Sequence, residues 1–475
     1  MTIGLVFGAI LVIVLSYWIQ KWRYPKCNGV LPPGSMGWPI IGETLELLIP
    51  SYSLELHPFI QKRINRYGLV FRTSVAGRPV ICSADADFNH YIFSQEGKLV
   101  EQWYMDTFSD VFVLDGETRT NGATAYIHKY GRGLFLNHFG SQTLKQNLLP
   151  LIQDAVTKTL RSWSSQQSIC VKRASSKAVY DLMAKLIFSY EVENSCDDSS
   201  EYLSTIMDGL MSFPVNIPGT RYHQCQKNKK KMMKMLKQVL TERRESIHKD
   251  GRNDLLNEAL RDMQKENFLT EDLILNLMFA GLFAGFEGIS TLLTLFFKFL
   301  SDHPLVLQEL IVEHENILKY RDGSNTSVSW NEYKSMTFTL QVINETLRLA
   351  NTTPGFLRRS KKDIQYKGYT IPAGWTIMVV TSACQMNPHI YEDPLVFNPW
   401  RWKDVDQQAI SKNFAPFGGG NRQCAGAEYS RVFLSIFLHV LVTKYKWTTI
   451  KEAKIRRSPL LEFGDGVYIR LHTPS

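Results

Sequence analysis

A glycine-rich segment with a single cysteine, residues 417–426 (FGGGNRQCAG), most constrains what this chain can fold into. Cys424 stands two residues after Arg422 and directly before an apolar stretch, from Tyr429 onward, that we predict to be a helix. Glycines let a backbone approach a flat ligand and aim peptide N–H groups at a sulfur atom. A cysteine thiolate can ligate haem iron, and an arginine fork suits a propionate. The segment therefore predicts a haem-thiolate loop, with Phe417 packed beside the ring.

Two simpler interpretations of this segment fit less well. A phosphate-binding loop places Lys and then Ser or Thr after its glycines, whereas Asn421 and Arg422 stand there. A lone buried cysteine is usually an inert small hydrophobe, and a run of glycines usually marks a turn. Neither explains the residue types that coincide around Cys424. These are Phe417, Gly420, Arg422 and Gly426.

The segment matches the pattern FxxGxRxCxG and so resembles the cysteine loop of the cytochrome P450 superfamily. Three other motifs stand in that family's order: residues 284–287 (AGFE) resemble its oxygen-binding stretch, residues 345–348 (ETLR) its ExxR pair and residues 397–402 (FNPWRW) its aromatic–Pro–Arg segment. The resemblance covers essentially the whole chain. Three further segments look like the plant branch that oxidises sterols, brassinosteroids and triterpenoids, and within it most like the plant family numbered eighty-seven. They are residues 31–44, 213–225 and 330–351.

The resemblance implies a mainly α-helical protein with small β-sheets (α+β), in which one large domain binds haem. The 475 residues contain no low-complexity linker and no repeat at solenoid periods, which agrees with one large domain. We predict a transmembrane signal anchor with its basic flank at residues 1–24, a proline-rich hinge at 25–40 and the haem-thiolate domain at 41–475.

The anchor is predicted from the segment Ile3–Ile19, which is almost entirely apolar and is followed by a basic flank. Its length is at the short end for a spanning helix, and the flank places the rest of the chain on the cytosolic side. A cleaved signal peptide needs a basic region before the apolar run and small residues after it, and neither is present. We therefore expect a retained, single-pass anchor in the endoplasmic reticulum membrane.

The seven cysteines lie far apart without a CxxC pair, which argues against zinc sites and a disulfide framework and agrees with a reducing cytosolic side. The net charge of +9 would suit nucleic acid, but no nucleic-acid motif accompanies it. The densest basic run, Lys227–Lys237, is either a solvated helix face or a contact with anionic lipid headgroups. A second basic set is predicted to dock an acidic electron donor. It consists of Lys129, Arg132, Lys412 and Arg431.

A long apolar helix is predicted from Phe279 to Leu300, and it contains three glycines. Glycine destabilises a helix interior, and the resemblance supplies a reason for it: small residues open a groove over haem for O₂ and water. Glu287 is an unusual charge in this stretch. It is either a solvent-facing carboxylate or, as the resemblance implies, the acid that relays protons through water.

The sequence departs from the family pattern directly after this acid. Most monooxygenases of the family carry a threonine there, whereas this chain has Gly288 and then Ile289. Ser290, an ordered water molecule or a hydroxyl group of the substrate would have to replace the missing hydroxyl. We therefore assign Glu287 and Ser290 as candidate catalytic residues. The missing threonine also suits a reaction that does not activate O₂.

Glu345 and Arg348 stand three residues apart and so face the same side of a helix. With Arg401 they are expected to form a charge-paired triad that holds the cysteine loop, which is a structural role and not a catalytic one.

The resemblance also assigns residues around the ring. His128 replaces a tryptophan that usually donates to a propionate, and Arg359 stands beside Arg358 and can exchange roles with it. The candidate haem-binding residues are His128, Arg132, Arg358, Phe417, Gly418, Arg422 and Gly426, with Cys424 as the iron ligand. The candidate substrate-binding residues are Ala284, Pro354, Phe356 and Leu357.

Together these assignments imply a haem-thiolate monooxygenase that inserts oxygen from O₂ into a C–H bond of a sterol or triterpenoid. Haem b is the expected cofactor, and NADPH supplies electrons indirectly, through NADPH–cytochrome reductase. Ring hydroxylation and successive oxidations that end in cleavage of a sterol side chain are both open outcomes. The alternatives are a haem-thiolate hydroperoxide isomerase or lyase that needs no reductase, and a haem protein without catalytic activity. We expect a monomer that binds no nucleic acid.

Overall fold

Helices predominate in the computed structural model, which describes residues 2–112, 123–191, 199–246, 254–321, 327–353, 355–403, 410, 412–458 and 460–473. The α-helices are α1 (Thr2–Arg23), α2 (Thr44–Leu47), α3 (Pro58–Tyr67), α4 (Ala86–Ser94), α5 (Asp106–Phe112), α6 (Ala123–Phe139), α7 (Ser141–Thr143), α8 (Leu149–Ser164), α9 (Val171–Phe188), α10 (Ser199–Leu210), α11 (Arg221–Ser246), α12 (Leu255–Met263), α13 (Glu271–Asp302), α14 (Pro304–Tyr320), α15 (Trp330–Ser335), α16 (Thr337–Ala350), α17 (Thr381–Gln385) and α18 (Ala427–Lys444). A π-helical turn (Leu144–Leu148) joins α7 to α8, and short 3₁₀ helices lie at Pro399–Trp402 and Gly420–Arg422.

The strands are short and form small sheets. They are β1 (Val70–Val75), β2 (Arg78–Ser83), β3 (Val100–Gln102), β4 (Ile169–Cys170), β5 (Phe356–Ser360), β6 (Ile364–Tyr366), β7 (Tyr369–Ile371), β8 (Thr376–Val379), β9 (Lys446–Lys451), β10 (Arg456–Arg457), β11 (Leu461–Glu462) and β12 (Tyr468–His472). The expected class, mainly α with small sheets, is confirmed.

The long helix α13 forms the centre of the largest apolar core. Thr270 caps its first turn by accepting a hydrogen bond from the N–H of Leu273. Two acidic residues in that turn interact favourably with the positive end of the helix dipole. The helix therefore begins earlier than the apolar pattern predicted. Among the described residues it is long and apolar enough to span a membrane, but 56% of that apolar window is buried inside the protein. We therefore assign α13 as a core helix.

Four further helices pack around α13 and position the candidate site. The buried apolar side chains of α8, α9, α16 and α18 join those of α13 in one cluster. The contact between α9 and α13 is the most extensive of these, so α9 fixes one side of the central helix.

The largest sheet has the strand order β1-β2-β8-β5-β3, and every neighbouring pair is antiparallel except β2 and β8. In it β5 pairs with both β8 and β3. A second sheet pairs the C-terminal strand β12 with β4 and β9, which ties the end of the chain to the start of α9.

The N-terminal helix α1 contributes little to this core. Most of its described apolar side chains are exposed, such as Phe7, Ile13 and Tyr17. An apolar helix of 22 residues whose described side chains are mostly exposed suits a membrane anchor, and the division into anchor, hinge and domain stays a prediction.

Candidate active site

The cysteine loop is shaped by glycines that other residues cannot replace. Gly418 and Gly420 have φ angles of 69° and 64°, in the left-handed region that residues with side chains rarely adopt. A Cβ atom at Gly420 would lie 2.1 Å from the carbonyl oxygen of Phe93, at the end of α4. The loop backbone therefore packs directly on α4, a contact that only glycine allows.

Cys424 lies at the end of this loop, just before α18. Its N–H donates to the carbonyl oxygen of Phe417 (2.9 Å), which closes the loop into a compact turn. The residue is exposed, yet protein atoms surround its thiol on most sides. Burial therefore raises the pKa of Cys424, although the Gly426 N–H and two nearby arginines act in the opposite direction. A thiolate at this position needs a cation on the sulfur, and a metal ion is a strong partner of that kind.

Basic side chains from three parts of the chain converge beside the loop. Arg132 of α6 donates to the carbonyl oxygen of Gln423. Nε of Arg358, on β5, lies 2.8 Å from Oε2 of Glu96. Nε of Arg422 donates to the other oxygen of the same carboxylate over 3.0 Å. Arg358 is buried and its neighbour Arg359 is exposed, so β5 directs the first of the two arginines into this cluster.

His128 lies among these guanidinium groups. Burial, followed by the charges of the three arginines, lowers the pKa of His128 to about 4. The ring is therefore neutral at pH 7 and can donate one N–H without adding a charge. The described cluster holds three arginines and one carboxylate, that of Glu96, which pairs with Arg358 and Arg422. It therefore carries an excess of two positive charges.

These features fit haem. The two propionates of haem carry the two negative charges that the cluster needs, and the thiol of Cys424 offers the ligand that iron needs. We conclude that His128, Arg132, Arg358, Arg422 and Cys424 form a set of donors that suits haem.

Glu345 of α16 lies at the centre of a buried network. Arg348 binds it through two nitrogen atoms (2.9 and 2.8 Å), and Nε of Arg401 donates to it over 3.0 Å. Nε1 of Trp402 and the N–H of Asn398 complete the shell (2.9 and 3.1 Å). The structure thus brings the three residues of the expected triad into contact, and the side chain of Glu345 is fully buried.

The middle of α13 carries the second cluster. Oε1 of Glu287 lies 2.7 Å from Nζ of Lys172, on α9, and the same ammonium donates to the hydroxyls of Ser290 (2.8 Å) and Thr291 (3.0 Å). The hydroxyl of Ser290 donates to the carbonyl oxygen of Phe286 (2.8 Å). Both candidate catalytic residues therefore contact a lysine of α9, and their catalytic roles stay predictions.

Beside this cluster, α13 is open at two positions one turn apart. Ala284 is exposed although Phe283 before it is buried and Gly285 after it is half-buried, and a Cβ atom at Gly288 would meet no atom within 4 Å. Helix α6 connects this part of α13 to the cysteine loop, because Phe135 packs on Gly281 while Arg132 reaches Gln423. This open strip suits the groove that the sequence predicted.

The expected substrate residues are only partly brought together. Phe356 packs its ring on Gly418 and on Phe93, so it lies beside the cysteine loop. Leu357 is half-buried next to it. Pro354 lies outside the described residues. Two aromatic side chains that the sequence did not indicate, Phe112 and Phe283, pack with each other near the middle of α13 (ring centroids 4.7 Å apart).

Sequence reasoning missed three partners of the assigned residues: Glu96, Lys172 and Trp402. Trp402 lay in a quoted motif, and its role follows from its position beside Arg401. Glu96 and Lys172 stand far from their partners in the chain and carry no local pattern, so only the fold shows these pairings.

A glycine-shaped cysteine loop, a propionate-matching cation cluster and this helical fold together define a haem-thiolate enzyme. A family model described as cytochrome P450 matches residues 32–467, and the chain belongs to that family. It is a cytochrome P450 monooxygenase.

Two curated relatives match nearly the full chain. Cucurbitadienol 11-hydroxylase of Siraitia grosvenorii is 49% identical over 469 residues, which cover 99% of this chain and 98% of that protein. Beta-amyrin 16-alpha-hydroxylase CYP87D16 of Maesa lanceolata is 46% identical over 469 residues, with the same two coverages. These matches confirm the predicted superfamily and its plant branch.

A solved structure of cyanobacterial CYP120A1 with bound retinoic acid has a similar fold. The TM-score is 0.82 at 24% sequence identity, and the match covers 94% of this chain and 100% of that one. The predicted fold is therefore confirmed.

Proposed function

We propose that this chain hydroxylates a C–H bond of a polycyclic triterpene or sterol, with electrons from NADPH delivered by NADPH–cytochrome reductase. The observation that carries the proposal is the similarity, over nearly the whole chain, to two hydroxylases named for the triterpenes cucurbitadienol and beta-amyrin. Successive oxidations that end in cleavage of a sterol side chain would use the same site and are a further outcome of the test below.

The residues of the cysteine loop and the cation cluster would hold haem b. Cys424 would ligate the iron, and His128, Arg132, Arg358 and Arg422 would bind the propionates. When bound, haem with a thiolate ligand supplies the activation of O₂ that hydroxylation requires. The loop residues Phe417, Gly418 and Gly426 would surround the sulfur and keep water from it.

The protein's own contribution to substrate binding is an apolar wall. Ala284 and Gly288 leave space beside α13, and Phe356 and Leu357 enter from β5, with Pro354 predicted to join them. Phe112 extends the wall from α5. A rigid polycyclic substrate gains affinity by burying its surface on such a wall, which excludes water and orients one C–H bond.

The expected membrane attachment fits this substrate class. Helix α1 would anchor the enzyme in the endoplasmic reticulum membrane as a single span, with the catalytic domain on the cytosolic face as a monomer. There the basic residues Lys129, Arg132, Lys412 and Arg431 would meet the reductase. Sterols and triterpenes partition into bilayers, so an anchored enzyme meets them at high local concentration.

The test uses microsomes that contain this chain and a plant NADPH–cytochrome reductase. Cucurbitadienol, beta-amyrin and cholesterol are supplied separately, with and without NADPH, and products are identified by mass spectrometry. We expect a product heavier by one oxygen atom that requires NADPH. Cys424→Ser is the matched control, since it removes the thiolate ligand and leaves the rest of the loop unchanged.

Two outcomes would contradict the proposal. Consumption of a lipid hydroperoxide without NADPH, and no oxygenated product with it, would identify the isomerase or lyase alternative. Absence of both activities in a preparation that binds haem would indicate a haem protein that does not act on this substrate class. A shortened sterol side chain would instead extend the proposal to successive oxidation.

A further inference from the structure

The ion pair between Lys172 and Glu287 is unusual because it lies in the middle of two packed helices. Nζ of Lys172 has three hydrogen atoms, and three side-chain oxygens of α13 accept them: those of Glu287, Ser290 and Thr291. Thr291 also lies 3.3 Å from the Glu287 carboxylate. One lysine therefore determines where the acid points, which is toward α9.

Lys172 also faces solvent on its other side. It lines a cavity of about 250 Å³ at the surface between α9, α10 and the loop 463–466. Several hydroxyl and charged side chains share this wall, and about 23% of the side-chain surface is exposed both for Lys172 and for Glu287. The further lining residues include Ser176, Ser200, Ser204, Glu201 and Asp465. The pair thus connects a polar, solvent-accessible cavity to the centre of α13.

The charged groups around the pair suit the exchange of protons. Burial lowers the pKa of Lys172, while the charges of Glu287 and Asp208 act to raise it. Burial raises the pKa of Asp208, and also that of Glu462, and the charge of Glu287 adds to both shifts. Arg221 acts on both of these carboxyls in the opposite direction, and Arg456 acts on Glu462. Two carboxyls whose pKa values are raised, Asp208 and Glu462, therefore lie close enough to the pair to interact with it electrostatically.

Beside Glu287 on α13, the two residues of the open strip, Ala284 and Gly288, carry no hydroxyl group. The hydroxyl of Ser290 donates to the carbonyl oxygen of Phe286 and accepts from Nζ of Lys172, so it is engaged within the protein. The space that Gly288 leaves open has room for water that can carry a proton from Glu287 to this strip.

We propose that Lys172 is a positioning residue for proton delivery: it holds the Glu287 carboxylate between the surface cavity and the open strip at Gly288, so that protons enter from the cavity. This inference rests on the proposed monooxygenase function. Lys172 acts through Glu287 and contacts neither substrate nor haem.

The stoichiometry of the reaction shows how the role can be measured. Hydroxylation follows R–H + O₂ + NADPH + H⁺ → R–OH + H₂O + NADP⁺, in which protons allow one oxygen atom to leave as water. Misdirected protons instead give O₂ + NADPH + H⁺ → H₂O₂ + NADP⁺. Both reactions consume one NADPH, so the ratio of product to H₂O₂ reports proton delivery and not electron supply.

The experiment compares the full-length wild type with Lys172→Met, Lys172→Arg and Arg173→Met, each with reductase and a substrate that the wild type hydroxylates. Arg173 lines the same cavity but pairs with Glu201, so its variant controls for the loss of a cavity charge. We expect Lys172→Met to lower the product formed per NADPH about tenfold, with a matching rise in H₂O₂. Lys172→Arg should recover most of the loss, and Arg173→Met should behave as the wild type.

A pH profile and an unfolding measurement distinguish a role of Lys172 in positioning Glu287 from a role in stability alone. In Lys172→Met the ratio of product to H₂O₂ should change with pH over a different range than in the wild type, because Glu287 loses its ion-pair partner. Chemical unfolding of all variants reports stability independently of turnover. If Lys172→Met does not fold, Glu287→Gln is compared with the double variant Lys172→Met/Glu287→Gln instead. The proposal then requires the ratio of product to H₂O₂ to fall equally in both variants.

The inference would be overturned if Lys172→Met kept the wild-type ratio of product to H₂O₂, or if the effects of the two substitutions on this ratio were additive in the double variant. Lys172 would then be only a structural contact. A wild type that forms no product with NADPH would instead count against the proposed function. The two failures are therefore distinguishable in one set of measurements.

Discussion

Two glutamates of the core, Glu345 and Glu287, are enclosed to very different degrees. The protein surrounds Glu345 with two arginines, an indole N–H and a backbone N–H, and none of its side chain is exposed. Glu287 has one ion-pair partner among the described residues, Lys172, and about 23% of its side-chain surface is exposed.

The difference separates a group that holds structure from one that can move protons. Desolvation makes a buried carboxylate expensive unless every lone pair is satisfied, and a group so satisfied cannot exchange protons readily. A half-enclosed carboxylate with one partner and nearby solvent can do so. We therefore expect changes at Glu345 to affect folding and changes around Glu287 to affect turnover.

The largest effect is expected from Glu345→Gln. An amide cannot accept from all five donors of the shell, and it leaves Arg348 buried without its counter-charge. We expect a loss of about 3–5 kcal/mol in the free energy of unfolding, and loss of the spectrum of the CO complex that reports the thiolate ligand. Chemical denaturation and the CO difference spectrum measure the two effects.

Asp154→Asn is the matched control for this prediction. Asp154 pairs with Lys158 one turn along α8, and both side chains are largely exposed. Its loss should change the free energy of unfolding by less than about 1 kcal/mol. A similar stability for Glu345→Gln and Asp154→Asn would show that the shell around Glu345 is dispensable.

The contrast also explains which parts were predictable from sequence. The spacing of Glu345 and Arg348 places them on one helix face, and the cysteine loop carries its chemistry within ten residues, so local patterns predicted both. The fold class followed from the same motifs. No local sequence pattern predicts the partners of Lys172 and Glu96, because the packing of distant elements brings these residues together.

Ser290 shows why a correct motif does not determine a role. The sequence placed it one turn after the acid, and the structure confirms that spacing on α13. Its hydroxyl, however, follows the usual preference of helical serine for the carbonyl one turn earlier. The direction of a side chain depends on such competing bonds, which a residue pattern does not contain.

The buried pair of His314 and His439 extends the comparison, because the protein encloses two polar side chains that carry no charge. Nδ1 of His314 lies 3.0 Å from Nδ1 of His439, and Nε2 of His314 lies 3.0 Å from the hydroxyl of Thr339. Burial lowers the pKa of His314 to about 3 and that of His439 to about 4. Both rings are therefore neutral in the folded protein at pH 7.

The free energy of unfolding should fall as the pH drops below about 6.5, because the unfolded chain then binds protons that the folded pair excludes. The loss continues to the folded-state values near 3 and 4, at up to about 1.4 kcal/mol per pH unit for each histidine. Denaturant unfolding at pH 7.5, 6 and 5, chosen as roughly even steps across this range, tests the slope. His439→Gln should reduce it, and equal slopes in both proteins would contradict the assignment.

The smallest change in stability is expected from substitutions of the glycines of α13. These substitutions test whether there is open space beside Glu287. A Cβ atom at Gly288 would meet no atom within 4 Å, whereas one at Gly281 would lie 2.6 Å from the ring of Phe135. Gly288→Ala should therefore raise the free energy of unfolding by about 0.5–1 kcal/mol through helix propensity, and Gly281→Ala should lower it by about 1–3 kcal/mol through overpacking. Chemical denaturation of the two variants measures both signs. If Gly288→Ala is as destabilising as Gly281→Ala, the strip is filled, and water has no path from Glu287 to the substrate side of the helix.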